Sequence, residues 1–206
     1  MADDLRFRKV GLMRSLGERQ YPKEPGSLEG LDPDHVFRYK WAEPHLSGKS
    51  VLDYGCGVGY GSFIMSQTAS NVTGFDVSED ALAWAKYYAK QMPNLEYLNQ
   101  LPDKQFDCVT CFECIEHVPD PAQTLDWIAC HASDYVFIST PKPRQAGSWS
   151  AYHTREFPRE EFMGLLSTRF AIDAEETQLT NGCSVLLARC RPLAPVDAQA
   201  GSGLRQ

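Results

Sequence analysis

Short apolar runs alternate with amphipathic stretches from Ser50 onward, a pattern typical of a parallel sheet covered by helices. The clearest helical stretch places Ala81, Ala85 and Tyr88 on one face, and Ser78 is its candidate N-cap. The pattern predicts a single α/β domain. The predicted strands are 50–54, 71–76, 95–98, 106–112, 135–139, 170–176 and 184–188, and the predicted helices are 36–46, 59–69, 78–91, 121–131 and 158–167.

Three features refine the boundaries of this pattern. Asp34 is a possible cap for the first helix, and Thr140-Pro141 is expected to stop the fifth strand. Asn181-Gly182 is expected to join the last two strands. Outside the pattern, the ends of the chain are polar or rich in proline and glycine. We therefore expect an N-terminal arm or lid over 1–35, one domain over 36–191 and a disordered tail over 192–206.

Composition and charge narrow the class of protein. The chain has 206 residues, enough for one well-buried domain, with 43% hydrophobic and 23% charged residues. It contains no run of 18 apolar residues and no apolar segment at its N-terminus, which favours a cytoplasmic protein that does not span a membrane. The net charge of −7 disfavours a general nucleic-acid binder and favours a small-molecule substrate. The oligomeric state is not predicted.

Seven cysteines are scattered along the chain, and Cys108, Cys111 and Cys114 follow one another at intervals of three. Such spacing occurs in zinc sites. These three, however, lie in FDCVTCFECIEH, which is typical of a buried strand and its exit, where cysteine behaves as a small hydrophobic residue. Reduced cytosolic thiols are the better interpretation.

A glycine-rich segment, VLDYGCGVGYG, runs from the first strand into a helix. Its spacing is GxGxG, whereas the dinucleotide fingerprint is GxGxxG with a pyrophosphate on the helix N-terminus. Asp53 at the end of the strand would repel a pyrophosphate but would suit an ammonium group, directly or through water. S-adenosylmethionine has such an ammonium and no phosphate. Asp76, 17 residues beyond Gly59 at the end of strand two, has the position of an acidic residue that binds ribose hydroxyls.

These motifs resemble those of the class I S-adenosylmethionine-dependent methyltransferases over about residues 36–190. VLDYGCGVGYG resembles motif I, FDVSEDALAWAK the ribose-binding motif, and FDCVTCFECIEHVPDP the motif IV strand with its loop. The resemblance implies a Rossmann-like seven-stranded sheet, mostly parallel with an antiparallel last strand and helices on both faces. GERQYP and HVFRYKWA are similar to segments of bacterial members associated with sugar modification.

The resemblance also implies the residues of the cofactor site. Family members commonly carry an Asp after strand three for the adenine amino group, whereas this chain has LNQLPDKQFD, so Asn99 or Gln100 must serve. The full set of candidate cofactor-binding residues is Tyr39, Asp53, Gly55, Cys56, Gly57, Gly59, Tyr60, Asp76, Val77, Asn99, Gln100, Phe112 and Glu113.

Glu113, Glu116 and His117 follow strand four at the edge of the sheet where ligands bind. This E-x-x-E-H spacing resembles that of ubiquinone-biosynthesis O-methyltransferases and small-RNA 2′-O-methyltransferases, both of which use it for a metal. The RNA enzymes add a histidine after strand five, and His153 in YHTREFPREEF is the matching candidate. The implied ligands of Mg²⁺ or Mn²⁺ are therefore Glu113, Glu116, His117 and His153.

The sequence leaves alternatives open at this edge. Without a metal, His117 or His153 is a candidate general base, and alignment of the reactants alone is a third possibility. Trp149 and Tyr152 are candidate substrate-pocket residues. We expect O-methylation of a small hydroxylated molecule such as a sugar, a catechol or another polyol. The alternatives are methylation of an RNA terminus and a non-catalytic protein that binds the cofactor.

Overall fold

Seven strands form one sheet in the computed structural model, which describes residues 19–89, 91–143, 153–180 and 184–193. In chain order they are β1 (Ser50–Tyr54), β2 (Asn71–Phe75), β3 (Leu95–Leu98), β4 (Phe106–Phe112), β5 (Ala132–Pro141), β6 (Phe170–Leu179) and β7 (Ser184–Pro192). Their order across the sheet is β3-β2-β1-β4-β5-β7-β6. β7 runs in the opposite direction to the other six strands, so the predicted sheet with an antiparallel last strand is confirmed.

Helices cover both faces of this sheet. They are α1 (Pro33–Ala42), α2 (Tyr60–Met65), α3 (Glu79–Tyr88), α4 (Pro121–His131) and α5 (Arg159–Ser167), with a 3₁₀ turn at Glu43–His45. Along β4, Val109 and Cys111 pack with α4 and α5, whereas Cys108 and Phe112 pack with α1 and α2. Alternate residues of one central strand therefore serve two separate cores, which explains why β4 is apolar almost throughout. Among the described residues, no helix has the length and apolarity needed to cross a membrane.

Several predicted boundaries differ from the structure. Helix α1 begins at Pro33, inside the expected arm, because Asp32 caps it by accepting a hydrogen bond from the Asp34 backbone N–H at 2.9 Å; Asp34 is not the cap. Strand β5 continues through Pro141, which lies opposite Val185 on β7, so the predicted stop at Thr140-Pro141 was wrong. Proline is tolerated there because it ends the strand.

Helix α2 is shorter than predicted and ends at Met65, since the next residues form turns in which the Ser66 and Thr68 hydroxyls bond nearby carbonyls. Helix α3 ends at Tyr88, while its predicted cap, Ser78, is confirmed. Strands β6 and β7 extend to Leu179 and Pro192. The first part of the expected arm, Trp149, Tyr152, Asn181-Gly182 and the tail beyond residue 193 lie outside the described residues.

The contact between α1 and α2 depends on Gly61. A Cβ at this position would overlap the ring of Tyr39, which is buried in the core. The same ring meets Phe112 edge-on, with 5.1 Å between ring centroids. Gly61 therefore lets α1 approach the helix that follows the glycine-rich loop, and α1 in turn packs against the end of β4.

We expect Gly61→Ala to lower the free energy of unfolding by about 1–3 kcal/mol, because the added methyl displaces a packed aromatic ring. Gly164→Ala is the matched control: it also lies within a helix, but its added Cβ meets nothing within 4 Å. That change should stabilise the protein by up to about 1 kcal/mol through helix propensity. Urea unfolding of both variants measures the difference, and equal effects would contradict the close contact at Gly61.

Candidate active site

The order of strands along the chain reverses between β1 and β4, which are neighbours in the sheet. In open α/β sheets, ligands bind outside the carboxyl ends of the strands at such a reversal. Asp53, Asp76 and Glu113 lie at or just beyond the carboxyl ends of β1, β2 and β4. The topology therefore brings the three predicted acidic residues to one edge of the sheet.

The glycine-rich loop is tied to the end of β2. The backbone N–H groups of Gly55 and Cys56 both donate to the carbonyl of Phe75, at 2.8 and 2.9 Å. Gly57 has a φ of 54°, in the left-handed region, and a Cβ added there would meet nothing within 4 Å. The end of β2 thus holds the loop on one side, and the space beside Gly57 is open. A ligand that lies across the loop requires this geometry.

Asp53 is 1% exposed and lies under this loop. Its two carboxylate oxygens accept hydrogen bonds from the hydroxyls of Ser62 at 2.6 Å and Thr110 at 2.9 Å. Burial raises the pKa of Asp53 to about 6, although both hydroxyls act in the opposite direction. The predicted contact with a ligand ammonium remains a prediction, and the observed partners of the carboxylate lie within the protein.

Asp76 connects the glycine-rich loop with the start of α3. One oxygen accepts from the Gly57 backbone N–H at 2.9 Å, and the other accepts from the Ser78 N–H at 2.8 Å. The next residue, Val77, follows the strand and is 79% exposed. A carboxylate beside an exposed valine offers both a hydrogen-bonding group and an apolar surface, the two features that a nucleoside needs.

Arg19 is a residue of this site that the sequence reasoning missed. Its guanidinium donates to Asp76 at 3.2 Å and to the Ser78 hydroxyl at 3.1 Å. Nearby, Tyr21 packs edge-on against Trp84 with 5.6 Å between ring centroids. This part of the expected arm therefore lies against α3 and the carboxylate of Asp76. The sequence shows this cation in GERQYP, but its partner lies 57 residues away in the chain, so no local pattern connects the two.

Four other predicted cofactor residues differ in their surroundings. Asn99 and Gln100 are exposed, and the Asn99 amide lies 3.5 Å from a carboxylate oxygen of Glu79. Cys56 is buried at the loop. The Tyr60 hydroxyl lies 3.2 Å from Nδ1 of His35, and burial raises the pKa of Tyr60. A cofactor role for these residues remains a prediction, as it does for the core residues Tyr39 and Phe112.

Glu113 has a left-handed backbone, with φ at 48°, a conformation that costs about 1–3 kcal/mol outside glycine. Ser139 on β5 stabilises it by accepting from the Glu113 N–H at 3.1 Å and donating its hydroxyl to the carboxylate at 2.9 Å. Arg38, only 2% exposed, lies 3.8 Å from the second carboxylate oxygen. Sequence reasoning missed Arg38 because a charge on α1 carries no sign of being buried.

Glu116, His117 and His153 come together at the same edge. Each offers one atom that could bind a metal ion, and these three atoms lie within 4.8 Å of one another. Glu116 is 1% exposed; one of its oxygens accepts from the Thr140 hydroxyl at 3.1 Å, whereas the other is buried with no hydrogen-bond partner among the described residues. Burial and the neighbouring Glu113 raise the pKa of Glu116 well above its ordinary value. We call these three residues the Glu-His-His group.

The segment after β5 reaches this group because it is fastened to the Glu116 backbone. The Glu116 carbonyl accepts from the backbone N–H of Thr154 at 2.9 Å and from its hydroxyl at 2.7 Å. The His117 and His153 rings consequently lie 4.9 Å apart in an edge-on arrangement. The predicted approach of His153 to the E-x-x-E-H segment is thus present in the structure.

Glu113, another ligand implied by the resemblance, is not one of the three residues of the Glu-His-His group. Its carboxylate accepts from the Ser139 hydroxyl and lies beside the buried Arg38. A role as a metal ligand remains a prediction for Glu113, whose charge also raises the pKa of Glu116. The sequence spacing alone made Glu113 and Glu116 look equivalent.

A family model described as a methyltransferase domain matches residues 34–173. Because the match covers more than half of the chain, this chain belongs to that family, and its assignment to the class I S-adenosylmethionine-dependent methyltransferases is confirmed.

Curated relatives share the name ubiquinone biosynthesis O-methyltransferase. One from Pseudomonas aeruginosa is 35% identical over 147 residues, covering 64% of this chain and 62% of the relative. Another from Aeromonas salmonicida is 42% identical over 146 residues, covering 64% of this chain and 60% of the relative. The matched part thus spans less than two thirds of these relatives.

Solved structures support the fold. A 1,6-didemethyltoxoflavin-N1-methyltransferase from Burkholderia thailandensis has a TM-score of 0.72 at 19% identity, covering 94% of this chain and 89% of that one. The [4+2]-cyclase SpnF also has a TM-score of 0.72, at 15% identity, covering 90% and 93%. One fold therefore carries different reactions, and the reaction must be argued from the site.

We expect Asp53 to make stability fall as pH rises from about 4 to about 6. Its folded pKa of about 6 exceeds the ordinary value near 3.9, so within this window the folded protein keeps a proton that the unfolded chain releases. The free energy of unfolding of the wild type relative to Asp53→Asn should therefore decrease by up to about 3 kcal/mol across the window. Urea unfolding at several pH values measures this difference.

Asp107→Asn is the control for that experiment. Hydrogen bonds from the backbone and hydroxyl of Ser50 lower the pKa of Asp107, so its stabilisation is nearly complete above about pH 5. The corresponding difference should rise slightly or stay level between pH 4 and 6, and it should not fall. A flat difference for Asp53→Asn as well would contradict the raised pKa.

Proposed function

We propose that this chain transfers a methyl group from S-adenosylmethionine to a hydroxyl of a small molecule such as a catechol, a sugar or another polyol. The observation that carries the proposal is the Glu-His-His group at the carboxyl edge of the sheet, beside the glycine-rich loop. Nitrogen and carboxylate bases are what activation of a hydroxyl requires. The O-methyltransferase name of the relatives supports oxygen as the acceptor atom.

The donor side of the site suits the chemistry of S-adenosylmethionine. Asp76 offers a carboxylate to ribose hydroxyls, and the exposed Val77 offers an apolar surface to the adenine. The space above Gly57 accommodates a ligand that crosses the loop. On the other side, the buried Arg38 supplies a positive charge suited to the carboxylate of the methionyl part.

The Glu-His-His group also fits a divalent cation. Glu116 has a buried carboxylate oxygen without a hydrogen-bond partner among the described residues, which is costly unless a cation satisfies it. Mixed oxygen and imidazole ligands suit Mn²⁺ and related ions. Mg²⁺ would bind the carboxylate and keep several water molecules as its other ligands. Glu116, His117 and His153 would hold the ion, and a bound ion would lower the pKa of the acceptor hydroxyl and position it.

The residues of the chain supply the remaining steps. Methyl transfer is an in-line displacement, so the acceptor oxygen must be held opposite the sulfur of the donor. The rings of His117 and His153 lie at the edge where this oxygen would approach, and either accepts its proton when no cation is present.

Asp76→Asn tests the donor side. We expect the dissociation constant for S-adenosylhomocysteine to rise about tenfold or more, because a charge-assisted hydrogen bond contributes about 1.5–3 kcal/mol. Asp80→Asn, at an exposed position in the first turn of α3, should bind as the wild type does. Isothermal titration calorimetry measures both. Unchanged binding by Asp76→Asn would contradict the ribose role, and no binding by the wild type would overturn the enzymatic proposal.

Transfer of a labelled methyl group tests the acceptor side, with a catechol, a glycoside and a short RNA as separate acceptors. We expect the catechol or the glycoside to be methylated, EDTA to lower the rate and Mn²⁺ to restore it. Glu116→Gln should lower the rate measured with Mn²⁺ at least about tenfold, whereas the exposed Glu160→Gln should leave that rate unchanged. Full activity in EDTA would favour a histidine base instead, and methylation of RNA alone would overturn the small-molecule acceptor.

A further inference from the structure

Glu156 is a buried carboxylate beside the Glu-His-His group, and the proposed chemistry assigns it no part. Its Oε1 lies 3.1 Å from Nδ1 of His153, and the two side chains are 5% and 9% exposed. Burial of a carboxylate is costly unless hydrogen bonds or opposite charge offset it. Among the residues that the structure describes, His153 is the partner that performs this role for Glu156.

The residues on either side of Glu156 in the chain fix its position. Thr154, two residues before it, donates from backbone and hydroxyl to the carbonyl of Glu116. Phe157, the next residue, is 1% exposed and packs in the core with Phe162 at 6.2 Å between ring centroids. The carboxylate between these two anchors therefore has little freedom to move away from His153.

The hydrogen bond determines which nitrogen of His153 carries a proton. An ionised carboxylate only accepts, so Nδ1 must donate to Glu156. In a neutral imidazole the proton on Nδ1 leaves the lone pair on Nε2. The lone pair is what either role of His153 needs, since a proton acceptor and a metal ligand both use it.

We infer that Glu156 is a positioning residue that holds His153 as the Nδ1–H tautomer and fixes the ring, so that Nε2 presents its lone pair to the Glu-His-His group. The inference rests on the proposed function only for the use made of that lone pair. The tautomer itself is a property of the protein without ligands, and it holds whether the group takes a proton or a cation. Carboxylates that support ligating histidines in this way typically change affinity or activity about 10–100-fold when removed.

The ¹⁵N chemical shifts of His153 in the ligand-free protein test this directly, because NMR separates a protonated ring nitrogen from one that carries a lone pair. We expect the wild type to show a protonated Nδ1 and an unprotonated Nε2. Glu156→Ala should shift His153 toward a mixture of tautomers. Glu156→Gln should keep the Nδ1–H form, because its amide oxygen still accepts, while losing the charge. Glu160→Ala, at an exposed position of α5, is the matched control and should leave His153 unchanged.

A purely structural role for Glu156 makes a different prediction: lower stability with an unchanged tautomer. A wild type with its proton on Nε2, or a Glu156→Ala variant that keeps Nδ1–H, would overturn the inference whatever happens to activity. If Glu156→Ala does not fold, the wild-type spectrum and Glu156→Gln still decide the tautomer.

Titration with Mn²⁺ alone separates this inference from the proposed function. We expect Glu156→Ala to weaken Mn²⁺ binding about tenfold or more, and Glu156→Gln to weaken it less. Absence of Mn²⁺ binding by the wild type, together with a protonated Nδ1, would remove the cation from the proposed function and leave the positioning role of Glu156 standing. Equal Mn²⁺ affinity in the wild type and Glu156→Ala would contradict the positioning role toward a cation.

Discussion

A single buried carboxylate, that of Asp53, joins the three elements on which the site is built. It lies on β1, accepts from Ser62 on α2 and accepts from Thr110 on β4, so it connects the strands at the reversal in strand order with the helix that follows the glycine-rich loop. The loop between β1 and α2 has little freedom once both of its ends are tied to one side chain. This arrangement places an unfavourable charge in the core at neutral pH, and two hydroxyl donors offset part of that cost.

The excess of buried negative charge extends beyond Asp53. Glu116 and Glu156 are buried and Glu113 is half-buried at the same edge, and the buried guanidinium of Arg38 lies 3.8 Å from the Glu113 carboxylate. Burial raises the pKa of Glu113 and of Glu116, although Arg38 acts against this at Glu113. An edge of this kind attracts cations and hydrogen-bond donors, and both the methyl donor and a divalent ion are positively charged.

Local patterns were sufficient to predict much of the fold. Strands β1, β3 and β4 and helix α4 have the predicted ends, because apolar runs bounded by polar residues or a proline define them within a few positions. The sequence did not predict the contacts between residues that are far apart in the chain. Arg19 meets Asp76, Arg38 meets Glu113, and the backbone of Glu113 turns left-handed only because Ser139 on another strand stabilises it. A spacing motif cannot show that Ser139 and Arg38 are the neighbours of the Glu113 carboxylate.

The attachment of Thr154 to the Glu116 carbonyl has a consequence for how such a domain diversifies. Lys142 donates from its backbone to Ser184 at 2.7 Å just after β5, and Thr154 is fastened at the other end of the connection. Because the group that anchors Thr154 is a backbone carbonyl, the approach of His153 does not depend on the side chain at position 116. Substitutions can thus alter the side chains of the Glu-His-His group while the backbone that assembles it stays the same.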